Sequence, residues 1–189
     1  MFNEFRLKML NREASSPKNM ALDIIQHLNV KNGMVVGDIG SGGGFFSHEF
    51  SREVGGKGRV YAIDVNQKSL EYIGVNLEKE EIMNVRTVKA NPNGMYLPEN
   101  VDLFFLRNVF HHITDPVEYF KSIKKFLKDT GKIAVIDYER KKFNFAGLFG
   151  HYTSRNVLLE TMDKAGFYPL ETYNFLPDQL FVIFGKKMD

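Results

Sequence analysis

Short apolar runs alternate with amphipathic stretches along most of the chain. The runs end in polar or glycine residues, as buried parallel strands do, and the stretches between them space apolar residues three and four positions apart, as helices do. The predicted strands cover 35–39, 59–64, 84–90, 101–106 and 132–138. The predicted helices cover 17–28, 44–54, 67–80, 116–128 and 154–165. This regular alternation predicts an α/β fold with a parallel sheet.

The two ends of the chain depart from the alternation. Residues 168–175 and 180–186 are strand-like runs joined by a short connection, which predicts an antiparallel hairpin. Residues 17–189 then fit a single domain without a linker or a repeat. The segment 1–16 has no obvious place in a sheet. It is either a frayed end or a flap over a ligand site, and its apolar residues favour the flap.

A glycine-rich turn follows the first predicted strand. It reads Gly40-Ser41-Gly42-Gly43-Gly44 and leads directly into a helix. Glycines let the main chain approach a ligand, and the helix points its N–H groups and positive dipole end into the same space. A dinucleotide-binding turn needs a small residue at its sixth position, where this chain has Phe45. Asp38 precedes the turn, and its carboxylate would repel a pyrophosphate but attract an ammonium or sulfonium group.

The pattern Asp38-x-Gly40-x-Gly42-x-Gly44 resembles motif I of the class I S-adenosylmethionine-dependent methyltransferases. The resemblance implies a Rossmann-like, doubly wound, seven-stranded sheet in the order 3-2-1-4-5-7-6, mostly parallel with an antiparallel C-terminal hairpin. It implies methyl transfer from S-adenosyl-L-methionine to a small-molecule acceptor, with S-adenosyl-L-homocysteine as the product. The residues it places on the methionine part of the cofactor are Asp38, Gly40, Ser41, Gly42 and Gly44. The account therefore predicts a cavity that reaches from Asp38 to Asp64.

The ends of the second and third strands supply the other predicted cofactor contacts. Asp64 lies about twenty residues beyond the glycines, where an acid binds ribose hydroxyls, and Val65 beside it is assigned to the same site. The alternative is a turn or N-cap aspartate, although Asn66 could take that duty. Asn91 stands where the family commonly has an aspartate for adenine. Its carbonyl can accept the same hydrogen bond, and the alternative is a simple turn asparagine before a proline.

The exit of the fourth strand is the predicted substrate side. By the resemblance, Arg107 contacts the cofactor and Asn108 the substrate, beside the donor methyl. The segment 106–109 is similar to the quinone-biosynthesis methyltransferases, and the following histidine pair is typical of the small-molecule branch. His111 and His112 are candidate general bases, since a neutral imidazole accepts a proton at neutral pH. The alternative is packing or local hydrogen bonding, because no partner that would orient either ring is evident.

The aromatic stretch 139–152 leaves the end of the fifth strand. Phe145 and Tyr152 are therefore predicted on the substrate side, as part of a lid that favours a flat or apolar acceptor. The alternative is a small satellite core under a long loop.

Composition narrows the alternatives further. The net charge of +2 gives no reason to expect a nucleic-acid partner, and the absence of cysteine excludes disulfides and fits a cytoplasmic location. No apolar run is long enough for a membrane span, and Asp102, Asp115 and the histidines lack a metal-ligand spacing. Oligomeric state is not indicated. Two other functions stay open: a nicotinamide-dependent oxidoreductase, disfavoured by Phe45 and the hairpin, and a non-catalytic S-adenosylmethionine-binding module.

Overall fold

The apolar runs form seven strands in the computed structural model, which describes residues 2–91, 94–139 and 152–187. The strands are β1 Val35–Ile39, β2 Arg59–Asp64, β3 Val85–Lys89, β4 Val101–Arg107, β5 Leu127–Tyr138, β6 Phe167–Tyr173 and β7 Gln179–Lys186. The α-helices of the described residues are α1 Phe2–Ala14, α2 Ala21–Leu28, α3 Phe45–Val54, α4 Gln67–Lys79, α5 Pro116–Lys124 and α6 Arg155–Lys164. The described residues also form two short 3-10 helices, Pro17–Asn19 and Phe110–His112.

All seven strands belong to one sheet, in the order β3-β2-β1-β4-β5-β7-β6. The first five pair in parallel, and β7 is antiparallel to both β5 and β6. The predicted strand order and the predicted terminal hairpin are thus confirmed.

Helices cover both faces of the sheet, so the predicted doubly wound arrangement is also confirmed. Alternate residues along each central strand enter two separate cores. One core joins Phe104 and Ile133 to α5 and α6, and it includes Phe120 of α5. The other joins Phe105 and Ile136 to α2 and α3.

The strand register brings four carboxyl ends together at one edge. Ile39 at the end of β1 lies opposite Ile63 of β2 and Leu106 of β4, and Leu106 lies opposite Val135 of β5. Ligands of open α/β sheets bind at this edge. A ligand site is therefore expected among the residues that follow these four positions.

The largest differences from the predicted element boundaries lie in two regions of the chain. The helix expected over 17–28 is split, because Met20 takes a left-handed conformation (φ 49°) between the 3-10 helix and α2. The carbonyl of Asn19 at this break accepts a hydrogen bond from Arg107. The helix expected over 116–128 ends at Lys124, and β5 starts already at Leu127, with an irregular register against the start of β4.

The N-terminal segment is a helix that lies on the glycine turn. Leu7 of α1 is buried, and Asn11 Nδ2 donates a hydrogen bond to the carbonyl of Gly43 over 2.8 Å. Among the helices that the structure describes, none is both long and apolar enough to cross a membrane. The flap role and the domain limits at 16 and 17 stay predictions.

Candidate functional site

The turn between β1 and α3 needs its glycines for two reasons. Gly40, Gly42 and Gly44 have φ values of 72°, 55° and 87°, in the left-handed region that other residues avoid. A Cβ atom on Gly40 would also lie 2.3 Å from Cγ2 of Val109. The turn is held to β2 by hydrogen bonds from the backbone N–H groups of Gly40 and Ser41 to the carbonyl of Ile63.

The turn delivers the N-terminus of α3 to the edge of the sheet. Gly44 is the N-cap residue and supplies no side-chain hydrogen bond to the first turn of the helix. The N–H groups of a helix's first turn carry the positive end of its dipole. This end of α3 can therefore receive an anionic or polar ligand group.

Asp38, the penultimate residue of β1, is a buried carboxylate. It is 3% exposed and accepts a hydrogen bond of 2.6 Å from Ser47 Oγ. Burial raises the pKa of Asp38 to about 7; the bond from Ser47 opposes that rise, and the negative charge of Asp64 adds to it. A cation bound beside this carboxylate would favour its ionised form. Asp38 is thus poised for a positively charged ligand.

Arg107, the last residue of β4, places its guanidinium group in the same part of the structure as Asp38. Nη2 donates to the carbonyl of Asn19 (3.0 Å) and to Oε1 of Gln179 (2.9 Å), and Cζ lies 5.4 Å from the ring centre of Phe46. Burial lowers the pKa of this guanidinium. Its Nε and Nη1 atoms, like the hydroxyl of Ser41, are buried without a hydrogen-bond partner among the described residues. Buried donors of this kind need a partner, which a ligand can supply.

Asp38 and Arg107 line one cavity of about 220 Å³. The glycine turn forms another wall, and the N-terminal region closes it through Leu10 and Asn11 of α1. The cavity reaches Asp38, as predicted. Asp64, Val65 and Asn91 are not among the residues that line it, so the predicted continuation to Asp64 is not seen in this arrangement of α1 and the turn.

The carboxylate of Asp64 binds the neighbouring backbone. Its Oδ2 accepts from the N–H of Gly42 (2.9 Å), and its Oδ1 accepts from the N–H of Asn66 (2.7 Å). Asp64 therefore has the turn role that the sequence left open. Asn66 is the N-cap residue of α4, because its side chain accepts a hydrogen bond from the backbone N–H of Lys68. Each carboxylate oxygen can accept a further hydrogen bond, so the ribose role stays a prediction.

The other residues predicted to contact the cofactor or the substrate lie in different parts of the structure. Val65 is 59% exposed, and exposed Asn91 closes a tight turn with backbone hydrogen bonds to Gly94, the turn alternative left open for it. Asn108 has a left-handed conformation (φ 57°), and its Oδ1 accepts a hydrogen bond from Gln179 Nε2. It lines the first cavity beside Arg107, and its predicted place near the substrate stays a prediction. Phe145 lies outside the described residues.

A second cavity, of about 760 Å³, opens on the α5–α6 side of the same edge. His111 and Tyr152, both predicted on the substrate side, line it together with apolar residues such as Phe110 and Ile113. His111 Nδ1 lies 2.8 Å from Oδ1 of Asp137. The rings of His111 and His112 are neighbours, with centres 4.0 Å apart.

Three polar residues that hold Arg107, His111 or the cavity walls lie at the facing ends of β5 and β7: Asp137, Tyr138 and Gln179. None of these three was predicted from the sequence. Asp137 could have been found, because it is the one carboxylate that interrupts the apolar run from Ile133. Gln179 carries no such signal, since its contact with Arg107 depends on the strand order. Among the described residues, no group of three or more acidic or histidine side chains could hold a metal ion.

The chain is similar in sequence to one protein family. Residues 30–169 match the family model described as "Methyltransferase domain". The chain is 28% identical over 163 residues to the "Ubiquinone/menaquinone biosynthesis C-methyltransferase UbiE" of Shewanella woodyi, covering 82% of this chain and 65% of that protein. It is 32% identical over 135 residues to the protein of the same name from Haemophilus ducreyi, covering 68% of this chain and 51% of that protein.

One solved structure matches along almost its whole length. It is described as "Crystal structure of a SAM dependent methyltransferase from Aquifex aeolicus" and has 26% sequence identity, with a TM-score of 0.82. The match covers 96% of this chain and 97% of that one. The match thus spans between half and two thirds of the length of the two curated relatives, but nearly all of this structural neighbour.

Proposed function

Because the chain belongs to the family of class I S-adenosylmethionine-dependent methyltransferases, we propose that it transfers a methyl group from S-adenosylmethionine to a small-molecule acceptor. The family and cofactor predicted from the sequence are confirmed by the methyltransferase-domain match and by the Aquifex structure. The oxidoreductase alternative finds no support among the matched proteins. S-adenosylmethionine supplies an electrophilic methyl carbon, so the protein's task is to bind, align and exclude water.

The first cavity fits the amino-acid end of this cofactor. It offers the buried carboxylate of Asp38 and the guanidinium of Arg107, whose Nε and Nη1 atoms are buried, in the lining of one small space. A methionine moiety carries an ammonium and a carboxylate, which complement these two charges. The partnerless donors, Nε and Nη1 of Arg107 and the hydroxyl of Ser41, then gain acceptors. The buried carboxylate of Asp38 in the cavity beside the glycine turn is the observation that carries the assignment.

The rest of the cofactor would extend from this cavity past the glycine turn towards Asp64. In this proposal the free lone pairs of the Asp64 carboxylate accept from the ribose hydroxyls, while its existing bond to Gly42 keeps the turn in place. Val65 and Asn91 then flank the adenine. Helix α1 acts as the flap, since Leu10 and Asn11 already cover the amino-acid end.

An apolar or aromatic acceptor is favoured by two observations. The Shewanella and Haemophilus relatives are named for ubiquinone and menaquinone biosynthesis, and quinone rings are flat and largely apolar. The second cavity presents Phe110, Ile113 and Tyr152 at the same edge of the sheet. Such side chains would hold a ring by burial of its apolar surface. A cytoplasmic location and the lack of a nucleic-acid partner remain predictions.

Calorimetric titration tests the proposal. We expect S-adenosylmethionine and S-adenosylhomocysteine to bind the purified chain, and NAD to show no heat of binding at the same concentrations. An Asp38→Asn variant should bind S-adenosylmethionine at least about 30-fold more weakly than the unmodified protein does, since about 2 kcal/mol is typical for the loss of a hydrogen bond to a charged group. Binding of NAD in preference to S-adenosylmethionine would contradict the proposal.

A further inference from the structure

Asp137, the penultimate residue of β5, is a fully buried carboxylate, and two of its hydrogen bonds come from His111. Its exposed fraction is 0%, and it accepts from both the backbone N–H (3.0 Å) and the Nδ1 (2.8 Å) of His111. Its other bonds come from the N–H of Tyr138 (2.9 Å) and the hydroxyl of Thr153 (2.8 Å). With four donors, both oxygens of this carboxylate have hydrogen-bond partners.

This arrangement fixes the tautomer of His111. A carboxylate accepts hydrogen bonds, so the proton of a neutral imidazole lies on Nδ1, which faces Asp137. The lone pair of the ring is then on Nε2. The side chain is 7% exposed, and the additional bond from the His111 backbone ties its main chain to the same carboxylate. The ring therefore has one orientation and one basic nitrogen.

The imidazole lies at the wall of a space that can hold a small molecule. His111 lines the cavity of about 760 Å³ at the carboxyl edge of the sheet. Only a few residues earlier in the chain, Asn108 and Val109 line the cavity assigned to the cofactor. A base at this position lies on the acceptor's side of the edge.

We propose that His111 is the general base of the methyl transfer and that Asp137 is its positioning residue. The inference rests on the proposed function and narrows its substrate class. An acceptor that needs a base is one whose nucleophile is an O–H group or an acidic C–H, such as a ring carbon activated by an ionisable hydroxyl. An acceptor with a free amine lone pair needs no such base.

The methyl transfer is coupled to the transfer of one proton from the acceptor to His111. His111 Nε2 takes the proton of the acceptor, the freed electron pair forms the bond to the methyl carbon, and the carbon–sulfur bond breaks with its pair on sulfur. The products are the methylated acceptor, neutral S-adenosylhomocysteine and an imidazolium stabilised by the Asp137 carboxylate. The imidazolium then returns its proton to solvent.

A purely structural role is the competing explanation, since the same bonds tie the 3-10 helix to β5. The structural and the catalytic explanation predict different effects of the His111→Ala variant. That variant loses the ring but keeps the backbone bond to Asp137. With the base role, the variant keeps its affinity for S-adenosylmethionine within about twofold, while turnover falls about 100-fold or more, the usual effect of losing a general base.

Turnover is measured with labelled S-adenosylmethionine and three probe acceptors: 1,4-dihydroxynaphthalene, catechol and aniline. We expect transfer to one or both hydroxyl-bearing probes. The ascending limb of kcat against pH should be lost in His111→Ala, and added imidazole should restore part of the rate. His27→Ala serves as the matched control, because His27 packs on Tyr173 and lines neither cavity. Preferred methylation of aniline, or an unchanged rate in His111→Ala, would overturn the proposal.

A second measurement does not depend on which acceptor is used. Nitrogen-15 NMR of the side chain, assigned with His111→Gln, should show that the neutral form of the ring carries its proton on Nδ1. Asp137→Asn should disturb that tautomer. A ring protonated on Nε2 in the unmodified protein would overturn the proposal. Failure of S-adenosylmethionine to bind in the calorimeter would instead contradict the proposed function, so the two failures are distinguishable.

Discussion

Two buried aspartates lie at the same edge of the sheet and differ in how their charge is satisfied. Asp38 is the penultimate residue of β1, on the α2–α3 side, and Ser47 supplies its hydrogen bonds. Asp137 is the penultimate residue of β5, on the α5–α6 side, and receives four hydrogen bonds. Burial raises the pKa of Asp38 to about 7, because too few donors offset the loss of solvent. The under-satisfied carboxylate is suited to a ligand, and the satisfied one to supporting another side chain.

The largest effect that separates the two aspartates is on stability. We expect Asp137→Ala to lower the free energy of unfolding by about 3–5 kcal/mol, because it leaves buried donors of His111 and Thr153 without an acceptor. Asp38→Asn should change it by less than about 1 kcal/mol at neutral pH, since a desolvated charge is replaced by a neutral group of the same shape. Urea denaturation of both variants measures this. Equal losses would contradict the distinction.

The next effect concerns the second carboxylate beside the glycine turn. We expect Asp64→Ala to weaken S-adenosylmethionine binding by about 1–3 kcal/mol, since hydroxyl groups and the Gly42 N–H lose their acceptor. Asn66→Ala is the control, because it removes the cap of α4 without touching the turn. Calorimetry on both variants provides the comparison. Unchanged affinity in Asp64→Ala would remove this residue from the site.

The smallest effect concerns the flap. We expect Asn11→Ala to weaken cofactor binding by about 1 kcal/mol, because it removes the hydrogen bond that holds α1 on Gly43. Hydrogen exchange in α1 should become faster in this variant and slower when S-adenosylmethionine is added. Lys8→Ala, which removes an exposed ion pair with Glu4 on the same helix, is the control. Equal exchange with and without the cofactor would contradict the flap role.

The fold and the Asp38 side of the site could be predicted from local sequence signals. An apolar strand, a glycine turn and an acid form a pattern within ten residues, and strand periodicity positioned β1 to β7 to within a few residues. The Asp137–His111 contact joins residues 26 positions apart on neighbouring elements, so no local pattern reports it. The break at Met20 was missed for a similar reason: it is tied to Arg107, a distant residue.

The dependence of cofactor affinity on pH tests the central claim most directly. In the proposed complex, the ammonium group of S-adenosylmethionine is bound by the ionised form of Asp38, whose pKa is about 7 in the ligand-free protein. Affinity for S-adenosylmethionine should therefore rise about tenfold between pH 6 and pH 7.5, as the carboxylate loses its proton. The rise should disappear in Asp38→Asn. A flat profile in the unmodified protein, or the same rise in the variant, would contradict the assignment of Asp38 to the cofactor.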